Sequence, residues 1–350
     1  MNRMAVIAVW LAVDLCAFGY APAVTETSQF FESQATADRN QGKLAAAEAL
    51  DRRAVSDAEA DGRGLVDALL DLARTLCAEA QYTEARKNAS EADAVAGGHG
   101  FGHAQAMSTL ALIDREQMRY AEAERLYRES VAAFNETVGQ DDLWTANARI
   151  DLGYVLSMEG QFKEARRLLQ SALPILTAKQ RYVETAAALM RLGLISLSEG
   201  KFREAARELN QALDIDTREL GPENIRTAND AVNLGYLELQ RGRYPQAEAL
   251  VSRGLTVVRK WPGSAEVLKG FSLADLAAIY VKEKRLEEAE PLYREAVAIL
   301  EKSAEPANSS VANVLYGYSG LLRALQRYSD AEAVEVRATA IQVRSAIHRG

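Results

Sequence analysis

The chain has 350 residues, 48% of them hydrophobic, and its 41 Lys+Arg against 49 Asp+Glu give a formal net charge of −8. Charges of both signs alternate and no lysine- or arginine-rich block interrupts them, which excludes the electrostatic footprint of a nucleic-acid binder. With only seven prolines and an abundance of alanine, leucine, glutamate and arginine, the composition predicts an all-α fold.

In chain order, Asn2 and Arg3 precede an apolar stretch from Met4 to Val13, and Ala21-Pro22-Ala23 supplies the small residues of a cleavage point. This layout predicts a signal peptide over residues 1–23 and a secreted or periplasmic protein. If the segment is retained instead, the chain is cytoplasmic or membrane-anchored by residues 4–20, a run short for a span. Any membrane contact is then confined to that uncleaved N-terminus. Cleavage leaves Cys77 as the only cysteine, so no internal disulfide forms and Cys77 is expected as a small buried hydrophobe. Residues 24–60 read as a degenerate helical lead-in, with Leu44–Ala54 as the second helix of an incomplete unit. Residues 61–345 read as an α-solenoid and 346–350 as a frayed tail.

Within the solenoid a pattern recurs: an aromatic residue or leucine, two mostly polar residues, then alanine. It begins at Tyr82, Tyr120, Phe162, Phe202, Tyr244, Leu286 and Tyr328, with spacings of 38, 42, 40, 42, 42 and 42 residues. In the same register, twelve residues before each alanine, stand Ala73, Ala111, Gly153, Gly193, Gly235, Ala277 and Ser319. Small residues at that spacing let two antiparallel helices approach closely, at about 8–10 Å. Gly160, Gly200 and Gly242 stop the first helices in a left-handed turn, and Gly139 and Gly221-Pro222 end second helices. First helices are therefore predicted near 145–159, 185–199, 227–241, 268–283 and 311–325. Second helices follow near 162–178, 202–219, 244–260, 286–302 and 328–346.

These positions resemble the tetratricopeptide repeat over residues 65 to 343. The 42-residue period exceeds the roughly 34 usual for that family. With Arg218-Glu-Leu-Gly-Pro-Glu-Asn-Ile-Arg-Thr-Ala228 and Ala289-Glu-Pro-Leu-Tyr-Arg-Glu-Ala296, it resembles the kinesin light chain type of unit. The resemblance implies a right-handed superhelix of about seven helix hairpins, whose first helices make the concave face. In kinesin light chains asparagine pairs on that face grip extended peptides. The corresponding pairs here are Ser108-Thr109, Ile150-Asp151, Met190-Arg191, Val232-Asn233, Ala274-Asp275 and Tyr316-Gly317, and only Asn233 matches. The converging lysines and arginines of a terminal-carboxylate clamp are not found at the inward positions.

The function expected is a non-enzymatic scaffold that holds a protein or peptide partner in its concave groove and acts as a monomer. Asn147, Asn229 and Asn313 recur at the starts of first helices, and Tyr154 and Tyr236 follow the first two by seven residues, on the same helix face. With Ile150, Met190, Leu194, Val232 and Tyr316 they form a candidate peptide-binding surface, asparagine pairing with peptide groups and tyrosine offering flat apolar area. Alternatively, the asparagines cap helices and the tyrosines pack between repeats. Trp144 and Trp261, in connectors, read as binding anchors or as covers of helix ends. His99 and His103 stand among glycines expected to form a flexible joint, which argues against a metal site. Carboxylates pair with arginine at helical spacing, as in Glu290–Arg294, on solvated faces. No catalytic residues, cofactor, metal or small-molecule substrate are expected. The alternatives are a self-assembling structural solenoid and an accessory subunit of an enzyme or secretion complex.

Overall fold

The computed structural model describes residues 34–39, 43–261, 265–303 and 309–347. The expected signal peptide, most of the lead-in before residue 43 and the last three residues lie outside the described residues. Helical residues 34–39 precede α1 (Leu44–Asp61), which runs past the expected end at Ala54. Helix pairs follow: α2 (Leu65–Ala78) with α3 (Tyr82–Ala96), α4 (Gly100–Glu116) with α5 (Tyr120–Thr137), and α6 (Leu143–Met158) with α7 (Phe162–Ala178). The series continues with α8 (Tyr182–Ser198), α9 (Phe202–Leu220), α10 (Ile225–Gln240), α11 (Tyr244–Val258), α12 (Glu266–Lys282), α13 (Leu286–Ser303), α14 (Ser309–Ala324) and α15 (Tyr328–Ile347). The architecture is an all-α solenoid of consecutive helix hairpins. It divides into two compact units, one ending at Glu184 and one running from Thr185.

Each hairpin closes on one repeated device. The backbone N–H of Gln81 donates to Leu76 O, Arg119 to Asp114 O, Gln161 to Leu156 O and Arg285 to Tyr280 O, all at 2.8–2.9 Å. That bond reaches back over a residue in the left-handed conformation, as at a helix end of the Schellman type. Glycine fills the left-handed position at Gly160, Gly200 and Gly242, with φ of 78°, 73° and 74°. Ala80, Met118, Lys284 and Gln326 adopt the same conformation without being glycine.

The pattern's seven alanines, Ala85, Ala123, Ala165, Ala205, Ala247, Ala289 and Ala331, are all fully buried at the crossing of each hairpin. A Cβ at Gly193 would come within 2.6 Å of Leu209 Cγ, and one at Gly235 within 2.6 Å of Val251 Cγ2. The helices thus cross closer than a methyl group allows. First helices begin two or three residues before the register predicts, and at α6 and α10 the connector caps the earlier start. Asp142 accepts from the N–H of Trp144 and Asn224 from that of Arg226, both at 2.9 Å. Thr145 and Thr227 then donate to Gly139 O and Gly221 O.

Two expectations are corrected. The glycines around His103 do not make a flexible joint: α4 starts at Gly100, and Gly102 is there because a Cβ would meet Ala96 Cβ at 2.9 Å. Carboxylate–arginine pairs at helical spacing do form, as at Glu124–Arg128, but Glu290 pairs with Arg327 of the next hairpin at 2.6 Å. Arg128–Glu164 and Arg285–Glu248 tie neighbouring hairpins in the same way at 2.9 and 3.0 Å. Exposed pairs like these contribute about 0–1 kcal/mol each. Among the described residues no helix is long and apolar enough to cross a membrane.

Candidate functional site

Because each first helix repeats one register, residues four apart on its inner side recur as pairs: Asp67 and Asp71 on α2, Gln105 and Thr109 on α4, Asn147 and Asp151 on α6, Ala187 and Arg191 on α8, Asn229 and Asn233 on α10, Phe271 and Asp275 on α12, Asn313 and Gly317 on α14. In the unit ending at Glu184 the pairs of α4 and α6 line a cavity of ≈ 90 Å³. Gln105, Ser108, Thr109, Asn147 and Asp151 form its polar edge, with Arg74 from α2 and Arg115 from α4. Buried Tyr127 and Phe134 of α5 and half-buried Trp144 of α6 supply its apolar lining. Phe134 stacks on Trp144 at 5.7 Å between ring centroids, and Phe101 meets both edge-on.

The electrostatics of the cavity are closed on themselves. Arg74 binds Asp71 at 2.7 Å. Arg115 holds Glu116 at 2.7 Å, lies 3.8 Å from Asp151, and sets its guanidinium 5.2 Å above the ring of Tyr154. Both arginines already face carboxylates of their own chain, so the cavity is no terminal-carboxylate clamp. Asn147 is different: its Oδ1 is enclosed and has no hydrogen-bond partner.

The tyrosine surface expected from the sequence is not exposed. Tyr154 keeps 7% and Tyr236 6% of its surface, and Ile150, Met190, Leu194, Asn229 and Val232 are buried with them. The reason is packing: long side chains at this register fill the space between hairpin layers, as Tyr154 does under Arg115. Of the ten candidates only Asn147, Asn313 and Tyr316 are half-exposed. Tyr316 hydroxyl lies 3.2 Å from both Thr339 Oγ1 and Gln342 Oε1. Trp144 covers the end of a hairpin while also lining the cavity, so its two readings coincide.

The sequence reading missed Arg74, Gln105, Arg115 and Asp151. Gln105 and Asn147 are 42 residues apart, as are Thr109 and Asp151, and that shared register was the signal that could have found them.

In the unit from Thr185 the same inner positions carry polar groups with no partner. Asn233 is 0% exposed and neither atom of its amide is hydrogen-bonded; Asn229 Oδ1 and Asp275 Oδ2 are in the same state. Burial pushes the Asp275 carboxyl up to about 8. A buried pair of acids stands nearby in sequence: Asp230 on α10 is raised well above the usual carboxylate range, first by burial and then by Asp216 of α9, with Arg226 Nε 3.4 Å from Asp216.

The histidines sit elsewhere. His99 Nδ1 donates to Gly97 O at 2.8 Å, and His103 lies between Asp93 (2.6 Å) and Glu129 (3.4 Å). Cys77 is a buried free thiol, its acidity suppressed by burial to a pKa of about 12.

Comparison with protein families matches residues 102–178 to the tetratricopeptide repeat and residues 146–349, more than half of the chain, to the MalT-like TPR region. Comparison with curated proteins gives no match. Among solved structures, a Rap protein complexed with Competence and Sporulation Factor is similar at 14% identity and a TM-score of 0.63, covering 93% of this chain and 100% of its own. NprR in complex with its cognate peptide NprX is 12% identical with a TM-score of 0.61, covering 89% of each chain; the apo form of NprR, from B. thuringiensis, also scores 0.61. Repeats of a Podosopora anserina putative kinesin light chain match at 21% identity over 57% of this chain and 96% of theirs, with a TM-score of 0.45. At these identities the likeness is one of fold.

Proposed function

Since this chain belongs to the tetratricopeptide repeat family, with a MalT-like TPR region, we propose that it is a non-enzymatic scaffold that grips a protein or peptide segment along the inner faces of its first helices. The observation that carries this reading is the ≈ 90 Å³ cavity between α2, α4 and α6. Small-molecule sites run to about 300–1,000 Å³, so this volume suits one side chain of a bound segment better than a metabolite. Its apolar lining takes the side chain, and the Asn147 amide, whose Oδ1 has no partner, takes a peptide group beside it, while Gln105 donates to Asp67 at 3.4 Å. NprR, whose fold is similar, is in complex with its cognate peptide, which supports the same use of the fold here.

The test is affinity capture from the native host with the wild-type chain and a Gln105→Leu/Asn147→Leu variant, both shown to be helical by circular dichroism. A partner held by the first and lost by the second supports the reading. Equal capture by both removes the cavity from it, and capture of the chain alone transfers the reading to self-association. We also propose that residues 1–23 direct export. Intact mass of the protein from its host decides this: a chain starting near residue 24 supports export, and one starting at Met1 overturns it.

A further inference from the structure

We propose that Asp275 marks a cation subsite in the first-helix face of the unit from Thr185, a place where a bound segment sets a lysine or arginine side chain or its free amino terminus. The inference rests on the groove reading above and deepens it, naming the chemistry of the segment at one position.

Asp275 stands on α12 at the register position that Thr109 and Asp151 occupy beside the cavity of the other unit. It is only 7% exposed, its Oδ2 has no hydrogen-bond partner, and among the described residues no cation pairs with it. The groups that face it are the phenols of Tyr236 from α10 and Tyr293 from α13, whose own ionisation burial and the Asp275 charge both suppress. Next along the face is Gly317 of α14, where a Cβ would come within 2.7 Å of the Tyr293 hydroxyl. At the same register of α10, Asn233 is 0% exposed with both polar atoms of its amide unpaired.

Buried carboxylates in folded proteins are paired or neutralised, and burial alone pushes this one up to about 8. At the same register the chain uses threonine at 109, aspartate at 151, arginine at 191, asparagine at 233 and glycine at 317, so the repeat itself does not dictate a carboxyl. A cation entering the site displaces the proton and supplies the missing partner through charge-assisted hydrogen bonds. The cation meets the carboxyl at its exposed edge, beside the two tyrosine phenols. Since among the described residues no cation pairs with Asp275, the attraction is spent on the ligand, unlike that of Arg74 and Arg115, which their own carboxylates already satisfy.

The experiment is a positional-scanning library of octapeptides at pH 8.5, one set acetylated and one with free amino termini. It is bound to the full chain, to Asp275→Asn and to Asp275→Leu. The expected result is a preference of about tenfold or more for lysine or arginine over norleucine at one position in the wild type. The preference collapses in Asp275→Asn, which still binds the uncharged peptides. Selection of the side chain in both sets identifies a side-chain ligand, and selection in the free-amine set alone identifies the amino terminus. Asp275→Leu loses the preference while its Tm rises, which a merely structural carboxyl would not show. If peptides bind without a cation preference, or the preference survives in Asp275→Asn, this inference is overturned and the groove reading stands. If the wild type binds no peptide, both fall.

Discussion

The two units use one 42-residue register and fill its interior differently. In the unit ending at Glu184, buried acids face arginines, although Arg39 Nε and Asp51 Oδ1 have no hydrogen-bond partner. Arg39 donates to Asp51 and to Thr75, each at 2.8 Å, and Thr75 donates in turn to Asp51. Asp114 is held by both Arg86 and Arg119. In the unit from Thr185, among the described residues no cation pairs with Asp275, and Asp230 faces Asp216 with Arg226 beside the pair. The positions of Phe134, Trp144 and Ala148, an aromatic joint in the first unit, are taken in the second by Asp216, Arg226 and Asp230. The division is not absolute, since Ser196 donates to Glu208 at 2.6 Å and Arg241 to Glu238 at 2.8 Å in the second unit. It still teaches that the repeat dictates which positions are interior without dictating whether their polar groups serve the fold or wait for something else.

The largest effect that could break this contrast is at Arg39. Arg39→Ala strands the Asp51 carboxylate, and removal of one partner of a buried pair costs about 3–5 kcal/mol. Urea unfolding followed by Trp144 fluorescence, with Trp10 and Trp261 replaced by phenylalanine, reads the first unit. A loss under about 1 kcal/mol means that the network is ornamental and the two units are alike. Burial raises Asp51 to about 6, against the pull of Arg39. Its favourable contribution is thus present below about 4 and lost as pH rises through about 6, so the variant's deficit shrinks in acid.

A smaller effect sharpens the contrast from the other side. Asp275 has its folded pKa at about 8, above the unfolded value of 3.8, so the native state holds a proton that the unfolded state releases. Its contribution to stability is complete below the unfolded value and declines as pH rises, by about 1.4 kcal/mol per pH unit until about pH 8. Melts of the wild type and Asp275→Asn from pH 5 to 9 check this: the difference between them should change over that range in the direction of a falling wild type. A pH-independent difference shows that the carboxyl has a partner after all and removes the ground for a cation subsite.

How much of this was legible in the sequence depends on what each position has to do. The hairpins were legible because Ala85, Ala165 and Gly193 are dictated by close approach, which only small residues satisfy, and because the period repeats the constraint seven times. The helix starts were off by two or three residues, and at α6 and α10 the capping by Asp142 and Asn224 is local chemistry that the register does not carry. The candidate site was legible in its face but not in its members. Asn147 lines the cavity, whereas Tyr154 and Tyr236 follow the other reading open to them and pack inside. Periodicity gives direction around a helix but not depth, and a tyrosine pointing inward fills the gap between layers as readily as it borders a groove. Asp275 was visible only as a departure from asparagine. That no cation among the described residues pairs with it is a fact of three dimensions.

The smallest effect is also the control on the comparison. Ala80 in the first unit and Lys284 in the second hold the same left-handed position of the hairpin turn, with φ of 59° and 62°, and both are exposed. Glycine relieves the clash of Cβ with its own carbonyl there and gives back part of the gain as unfolded-state entropy. Ala80→Gly and Lys284→Gly should therefore each stabilise by about 0.5–1 kcal/mol. Neither side chain is part of the polar interior, so the gain should be equal when each is read in its own unit, Ala80→Gly by Trp144 and Lys284→Gly by Trp261. Equal gains show that the units share one backbone energetics and that their contrast resides in Arg39, Asp51 and Asp275. A gain in one unit alone means that the turns themselves differ in strain, and the interior polar groups lose their standing as the cause.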